Sequence, residues 1–87
     1  MGCELYQIKF TKQAQKDIEK LSPKNKQKLK DILRHKIAIE PESGKALKGM
    51  LKGYYSVRLN LQDRIVYRIE NGECLVVIIR ARTHYGE

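Results

Sequence analysis

Residues 54–82, YYSVRLNLQDRIVYRIENGECLVVIIRAR, decide the fold. Three apolar, β-branched and aromatic runs, Tyr54–Leu61, Arg64–Glu70 and Glu73–Arg82, are broken only by Gln62-Asp63 and Asn71-Gly72. No helical pattern intervenes, so the runs predict three antiparallel strands in a meander. Asn71-Gly72 is the sequence signal of a two-residue type I′ hairpin. Alternation sorts the first run into Tyr55, Val57, Leu59 and Leu61 on one face and Tyr54, Ser56, Arg58 and Asn60 on the other. The second run sorts Ile65, Tyr67 and Ile69 away from Arg64, Val66, Arg68 and Glu70. The third is apolar on both sides, the pattern of a central strand. Arg58, Arg64 and Arg68 then share a polar face with an apolar floor.

Upstream, Tyr6, Ile8 and Phe10 alternate with Leu5, Gln7 and Lys9, a first short strand. Thr11 is a candidate N-cap for an amphipathic helix carrying Ala14, Ile18 and Leu21. Ser22 as cap and Pro23 at the first helical position open a second helix, with Leu29, Ile32, Leu33 and Ile37 on one face and Pro41 limiting its end. Residues 40–53 combine Pro41, Gly44, Gly49 and Gly53 with Lys45, Lys48 and Lys52, the composition of a mobile basic loop. Ala46-Leu47 and Met50-Leu51 are its candidate anchors to the core. The expected architecture is α+β: an N-terminal strand, a two-helix hairpin, then a three-stranded antiparallel meander with the helices packed on one sheet face.

At 87 residues the chain is expected to be one domain spanning 1–87. Eighteen Lys and Arg against ten Asp and Glu leave a net charge of +8, which favours polyanionic partners or an acidic protein. The helix lysines spread around the polar circumference and read as a solvated face. Cys3 and Cys74 lie far apart in the chain without metal-ligand spacing. No zinc site, cofactor or disulfide framework is therefore expected, and a reducing compartment is the default. The longest apolar run, Leu75 to Ile79, is too short to span a membrane, and no signal-peptide core opens the chain. Met1-Gly2 invites myristoylation, but Tyr6 stands where Ser or Thr is wanted. The expected location is the cytoplasm.

After the last strand come Arg82, Thr83, His84 and Tyr85. A lone histidine at a chain end is ordinarily a solvated polar residue. Beside clustered arginines it gains a chemical reading: imidazole exchanges protons near neutral pH, and guanidinium groups grip phosphate oxygens bidentately. Tyr85 can stack on a base or orient a phosphate. Such parts suffice for metal-independent RNA cleavage, in which the 2′-hydroxyl attacks the adjacent phosphate.

Four segments, Lys45-Ala46-Leu47-Lys48-Gly49, Gly53-Tyr54-Tyr55-Ser56-Val57-Arg58-Leu59, Asp63-Arg64-Ile65-Val66-Tyr67-Arg68-Ile69 and Arg82-Thr83-His84-Tyr85, resemble the RelE/ParE toxin superfamily. The His-Tyr ending is most similar to its YoeB/Txe branch. The resemblance implies the RelE-like fold and the toxin role of a type II toxin-antitoxin system. It also implies an endoribonuclease that cuts mRNA in the ribosomal A site and so inhibits translation. Its implied partners are a cognate antitoxin, the ribosome and mRNA, with the toxin monomeric when alone and hetero-oligomeric with its antitoxin. On that resemblance Arg64 matches the arginine holding the scissile phosphate, His84 the general acid, Tyr85 the neighbouring tyrosine, and Arg58 a basic strand position.

Lys48, Lys52, Arg68 and Arg82 complete the expected phosphate-binding set. Lys45 stands where YoeB-type toxins carry a glutamate proposed as general base, and Ser56 where RelE carries a lysine. A protonated amine cannot accept a proton, so Lys45 or Lys48 acts as base only after losing its own; otherwise that role falls to His84 or the ribosome. Two other functions share these features. One is a ParE-like gyrase inhibitor that binds protein and cuts nothing, which makes no use of a terminal histidine. The other is a non-catalytic basic RNA-binding domain.

Overall fold

The computed structural model describes residues 3–81. Strand β1 (Gln7–Phe10) leads into helices α1 (Lys12–Glu19) and α2 (Pro23–Ile32), followed by strands β2 (Lys45–Ala46), β3 (Tyr54–Arg58), β4 (Arg64–Glu70) and β5 (Leu75–Arg80). The strands form one five-stranded sheet in the order β1-β5-β4-β3-β2. β3, β4 and β5 are the expected antiparallel meander, while β1 runs parallel to β5 along its other edge. β5 is thus paired on both sides, which is why its sequence is apolar throughout. The α+β expectation is borne out. None of the described helices is long and apolar enough to cross a membrane.

Both helix starts follow their caps. Thr11 Oγ1 accepts from Ala14 N–H at 3.1 Å and Ser22 Oγ from Asn25 N–H at 3.2 Å, each satisfying a donor that the first turn leaves unpaired. α2 does not continue regularly to Ile37. Its last turn, Leu33–Ile37, widens to π geometry, with Ala38 N–H reaching back to Leu33 O at 2.8 Å. The Ala38 carbonyl then accepts from Tyr6 N–H at 2.8 Å, tying the helix exit to the entrance of β1.

The core lies between the helices and one face of the sheet. Ala14, Leu21, Leu29, Leu33 and Ile37 meet Val57, Leu59, Ile65, Tyr67, Val76 and Ile78, with Ile8, Phe10, Ile18 and Ile32 packed at the margin. Leu61, expected on this face, is almost fully exposed. The reason is local: β3 stops at Arg58, and Asn60 Oδ1 accepts from both Gln62 N–H and Asp63 N–H at 2.7 Å. This side-chain-closed turn replaces the last residues of the expected strand.

Three other expectations are corrected. The basic loop is not without secondary structure: Lys45 and Ala46 pair with Ser56 and Tyr55 as an edge strand, and Leu47 N–H donates to Tyr54 O at 2.9 Å. Ala46 and Met50 are exposed rather than anchoring the loop. The β4–β5 connection is a 3₁₀ turn over Asn71–Glu73 instead of a two-residue hairpin, and the left-handed residue is Cys74 (φ 52°). Finally, Cys3 and Cys74 form a disulfide, with Cα atoms 5.7 Å apart. Sequence separation was a poor guide here because parallel pairing of β1 with β5 brings the two segments together, Gln7 N–H donating to Cys74 O at 2.9 Å.

Tyr67 links the core to the segment before β2. Its hydroxyl donates to Pro41 O at 2.6 Å, and its ring stacks on Tyr55 with centroids 5.8 Å apart. Burial pushes its pKa up to about 12, against a lowering contribution from the Gly44 backbone. A Cβ at Gly44 would collide with the Tyr67 hydroxyl and lie 3.1 Å from Ser56 O. Gly44→Ala is therefore expected to cost about 1–2 kcal/mol through overpacking, read as a lower urea midpoint at unchanged m-value.

Candidate functional site

Register places the cations. Arg58 lies opposite Arg64 and Tyr54 opposite Arg68 across β3 and β4, while Lys45 lies opposite Ser56 across β2 and β3. Directly opposed residues share a sheet face, so Lys45, Arg58, Arg64 and Arg68 occupy the face turned away from the helices. The Asn60 turn, reinforced by Leu59 N–H to Asp63 O at 3.0 Å, fixes where β4 begins and hence where Arg64 sits.

Like charges directly opposed across two strands are destabilising. Among the described residues, neither Arg58 nor Arg64 has a carboxylate within ion-pair distance. The pair therefore carries an electrostatic cost that an incoming anion relieves. Arg68 differs, since its Nε donates to Glu70 at 2.7 Å. Both side chains are about 41% exposed, so this bond is weak and competes with any role for Arg68 toward a ligand. Lys45, Lys48 and Lys52 are all exposed, Lys45 on the edge strand and Lys48 and Lys52 in the connection that follows it. β2, which sequence reading missed, is what brings Lys45 onto the sheet. The middle of the face is dry: Ser56 and Val66, opposite one another, are buried despite their expected polar-side placement.

Arg82, His84 and Tyr85 lie outside the described residues. The point from which they depart is well defined. Asp17, on α1, is buried, and its carboxylate accepts from Arg80 Nε at 2.7 Å, Arg80 Nη2 at 3.4 Å and Ala81 N–H at 3.2 Å. Burial alone would raise the Asp17 pKa, but the bonds from Arg80, Ala81 and Gln13 outweigh it and hold the carboxyl below its ordinary value. Thr11 Oγ1 adds a bond to Ile79 O at 3.0 Å. Between them a bulge sets Tyr67 against Ile78 but Val66 against Arg80, bending the end of β5. The sequence held a trace of this clamp: Asp17 falls three residues after Ala14 on the inward side of α1, where a carboxylate requires a buried partner.

Comparison with known proteins agrees with this fold. A model of the YoeB-like toxins of bacterial type II toxin-antitoxin systems matches residues 9–85. Among solved structures, the chain is similar to one in the RelBE2 toxin-antitoxin complex from Mycobacterium tuberculosis (TM-score 0.80, 32% identity, 90% of this chain and 96% of that one covered). It is similar to a YoeB/ParE toxin from Agrobacterium tumefaciens (TM-score 0.82, 27% identity, 91% and 99%). It is also similar to a chain of the heterotetrameric YoeB-YefM complex from Staphylococcus aureus (TM-score 0.67, 29% identity, 92% and 98%). No curated protein sequence matches it. The expected RelE/YoeB resemblance is borne out, and the chain belongs to the YoeB-like toxin family of bacterial type II toxin-antitoxin systems.

Proposed function

We propose that the chain, acting as one domain over residues 1–87, is a ribosome-dependent endoribonuclease that cuts mRNA in the A site of the cytoplasmic ribosome and is neutralised by a cognate antitoxin. The observation that carries this reading is the opposed Arg58–Arg64 pair, cationic, rigidly held on two strands and without a carboxylate partner among the described residues. In this reading the two guanidiniums hold the scissile phosphate and stabilise its extra negative charge in the transition state. The 2′-oxygen bonds to phosphorus as the P–O5′ bond breaks, and His84 delivers a proton to the departing 5′-oxygen. The products are a 2′,3′-cyclic phosphate and a 5′-hydroxyl.

Lys45, Lys48 and Arg82 add positive potential along the RNA path, joined by Lys52 and Arg68, and Tyr85 stacks on a base or orients the phosphate. Lys45, an exposed amine where related toxins have a carboxylate, is assigned to electrostatics, and because His84 enters the step protonated, the proton of the 2′-hydroxyl leaves to a group of the ribosome. The antitoxin reading draws on the similar chains found in toxin-antitoxin complexes. The test is mapping of mRNA 5′ ends after induction in cells. New 5′-hydroxyl ends in phase with codons, with protein synthesis stopping before DNA synthesis, are expected. Early arrest of replication with DNA damage and intact mRNA would assign the chain to gyrase inhibition instead.

A further inference from the structure

The dry centre of the cationic face holds a group that the reading above does not use. Ser56 is 2% exposed, and its Oγ has no hydrogen-bond partner among the described residues. A buried hydroxyl left unpaired costs the folded chain its desolvation, and such groups are rare enough in native proteins that each calls for a physical reason. Its neighbours suggest one. On β3, Ser56 precedes Arg58 by two residues on the same face, roughly 6–7 Å along the strand. Lys45 is its partner on one side and Val66, itself 1% exposed, on the other. The hydroxyl therefore sits beside Lys45 and Arg58 over an apolar floor, where a hydrogen bond to an anion is stronger than in water.

We propose that Ser56 is a substrate-contacting residue, its Oγ–H donating to a non-bridging oxygen of the RNA phosphate held by Arg58 and Arg64. This rests on the nuclease reading and adds a neutral donor to it. In the free chain the hydroxyl is shielded. For the phosphate to reach it, the groups that cover the hydroxyl must move aside as the charge arrives. The donor has no partner among the described residues until the ligand supplies one, so the free protein bears a stability cost that function recovers.

That arrangement gives Ser56→Ala a paired signature. Removing an unpaired buried hydroxyl is expected to raise Tm by about 4 °C. The same change is expected to lower kcat/KM for mRNA cleavage on programmed ribosomes by about ten- to hundredfold, the worth of one hydrogen bond to a charged acceptor. It should also weaken binding of a non-cleavable 2′-O-methyl hexaribonucleotide about tenfold. A higher Tm with unchanged cleavage and binding overturns the proposal, because the hydroxyl is then idle. A lower Tm overturns it too, because the hydroxyl is then structural. If the wild-type chain cuts no RNA, the nuclease reading fails separately, and the Ser56 contact stands or falls on hexaribonucleotide binding alone.

Discussion

Replacing His84 with alanine is expected to slow mRNA cleavage on the ribosome by about 10²–10⁴-fold, the usual contribution of a positioned proton donor. KM should move little, because the arginines and lysines proposed to bind the phosphate remain. The 5′-oxygen is a poor leaving group and needs its proton as the P–O5′ bond breaks. A substrate with sulfur at that bridging position leaves without one. Cleavage of the 5′-phosphorothiolate RNA by His84→Ala should therefore approach the wild-type rate on the same substrate. Equal losses on the oxygen and sulfur substrates would remove His84 from the acid role and leave it, at most, a contact to RNA. Full activity of His84→Ala on ordinary mRNA would remove it from the mechanism altogether.

Asp17→Ala is expected to produce the largest loss of stability of any single substitution considered, about 3 kcal/mol. Breaking a buried ion pair ordinarily costs somewhat more, and the value is reduced because the Arg80 side chain is 34% exposed and water partly replaces its partner. Against a total of roughly 5–15 kcal/mol for a small domain, that is a large fraction. The urea midpoint should fall with little change in m-value. The pH dependence follows from the direction of the shift. The folded-state pKa of Asp17 lies below the ordinary value of 3.8, so its contribution is present above that value and is lost as pH falls through the folded pKa. Wild-type stability should drop more steeply than that of Asp17→Asn as the solution is taken below about pH 4. Parallel acid profiles for the two proteins would show that the carboxylate contributes no charge-specific stability.

The same clamp bears on activity. Arg80 and Ala81 immediately precede Arg82, so Asp17 fixes the origin of the segment that carries His84. A variant at Asp17 is thus expected to lose cleavage even at temperatures where it remains folded. In His84→Ala, by contrast, the thermal midpoint is not expected to track the activity loss.

Much of the sheet was legible from alternation alone. Tyr55, Val57, Ile65, Tyr67 and Ile69 face the helices as their period of two requires, and Arg58, Arg64 and Arg68 share the opposite face. The helix starts were legible because Thr11 and Ser22 act locally, through bonds to residues three positions away. What local pattern missed was made by long-range partners. β2 is two residues long, too short to show a period, and exists because β3 offers an open edge. Cys3 meets Cys74 because β1 lies parallel against β5. Leu61, apolar and in phase, is exposed because a turn closed by Asn60 removes it from the strand.

The α+β class, the cationic face and the resemblance to the toxin family follow from side-chain period, net charge and short motifs, all of them properties of neighbouring residues. Only the tertiary structure decided which of those residues are committed and which are open. Glu70 takes Arg68, Asp17 takes Arg80 across 63 positions of sequence, and Arg58 faces Arg64 with no carboxylate to neutralise it among the described residues. Ser56, placed on the polar face by the alternation, became a candidate contact only through its burial without a partner among the described residues. Pairing and burial depend on distances between segments far apart in the chain, and a linear pattern does not encode those distances.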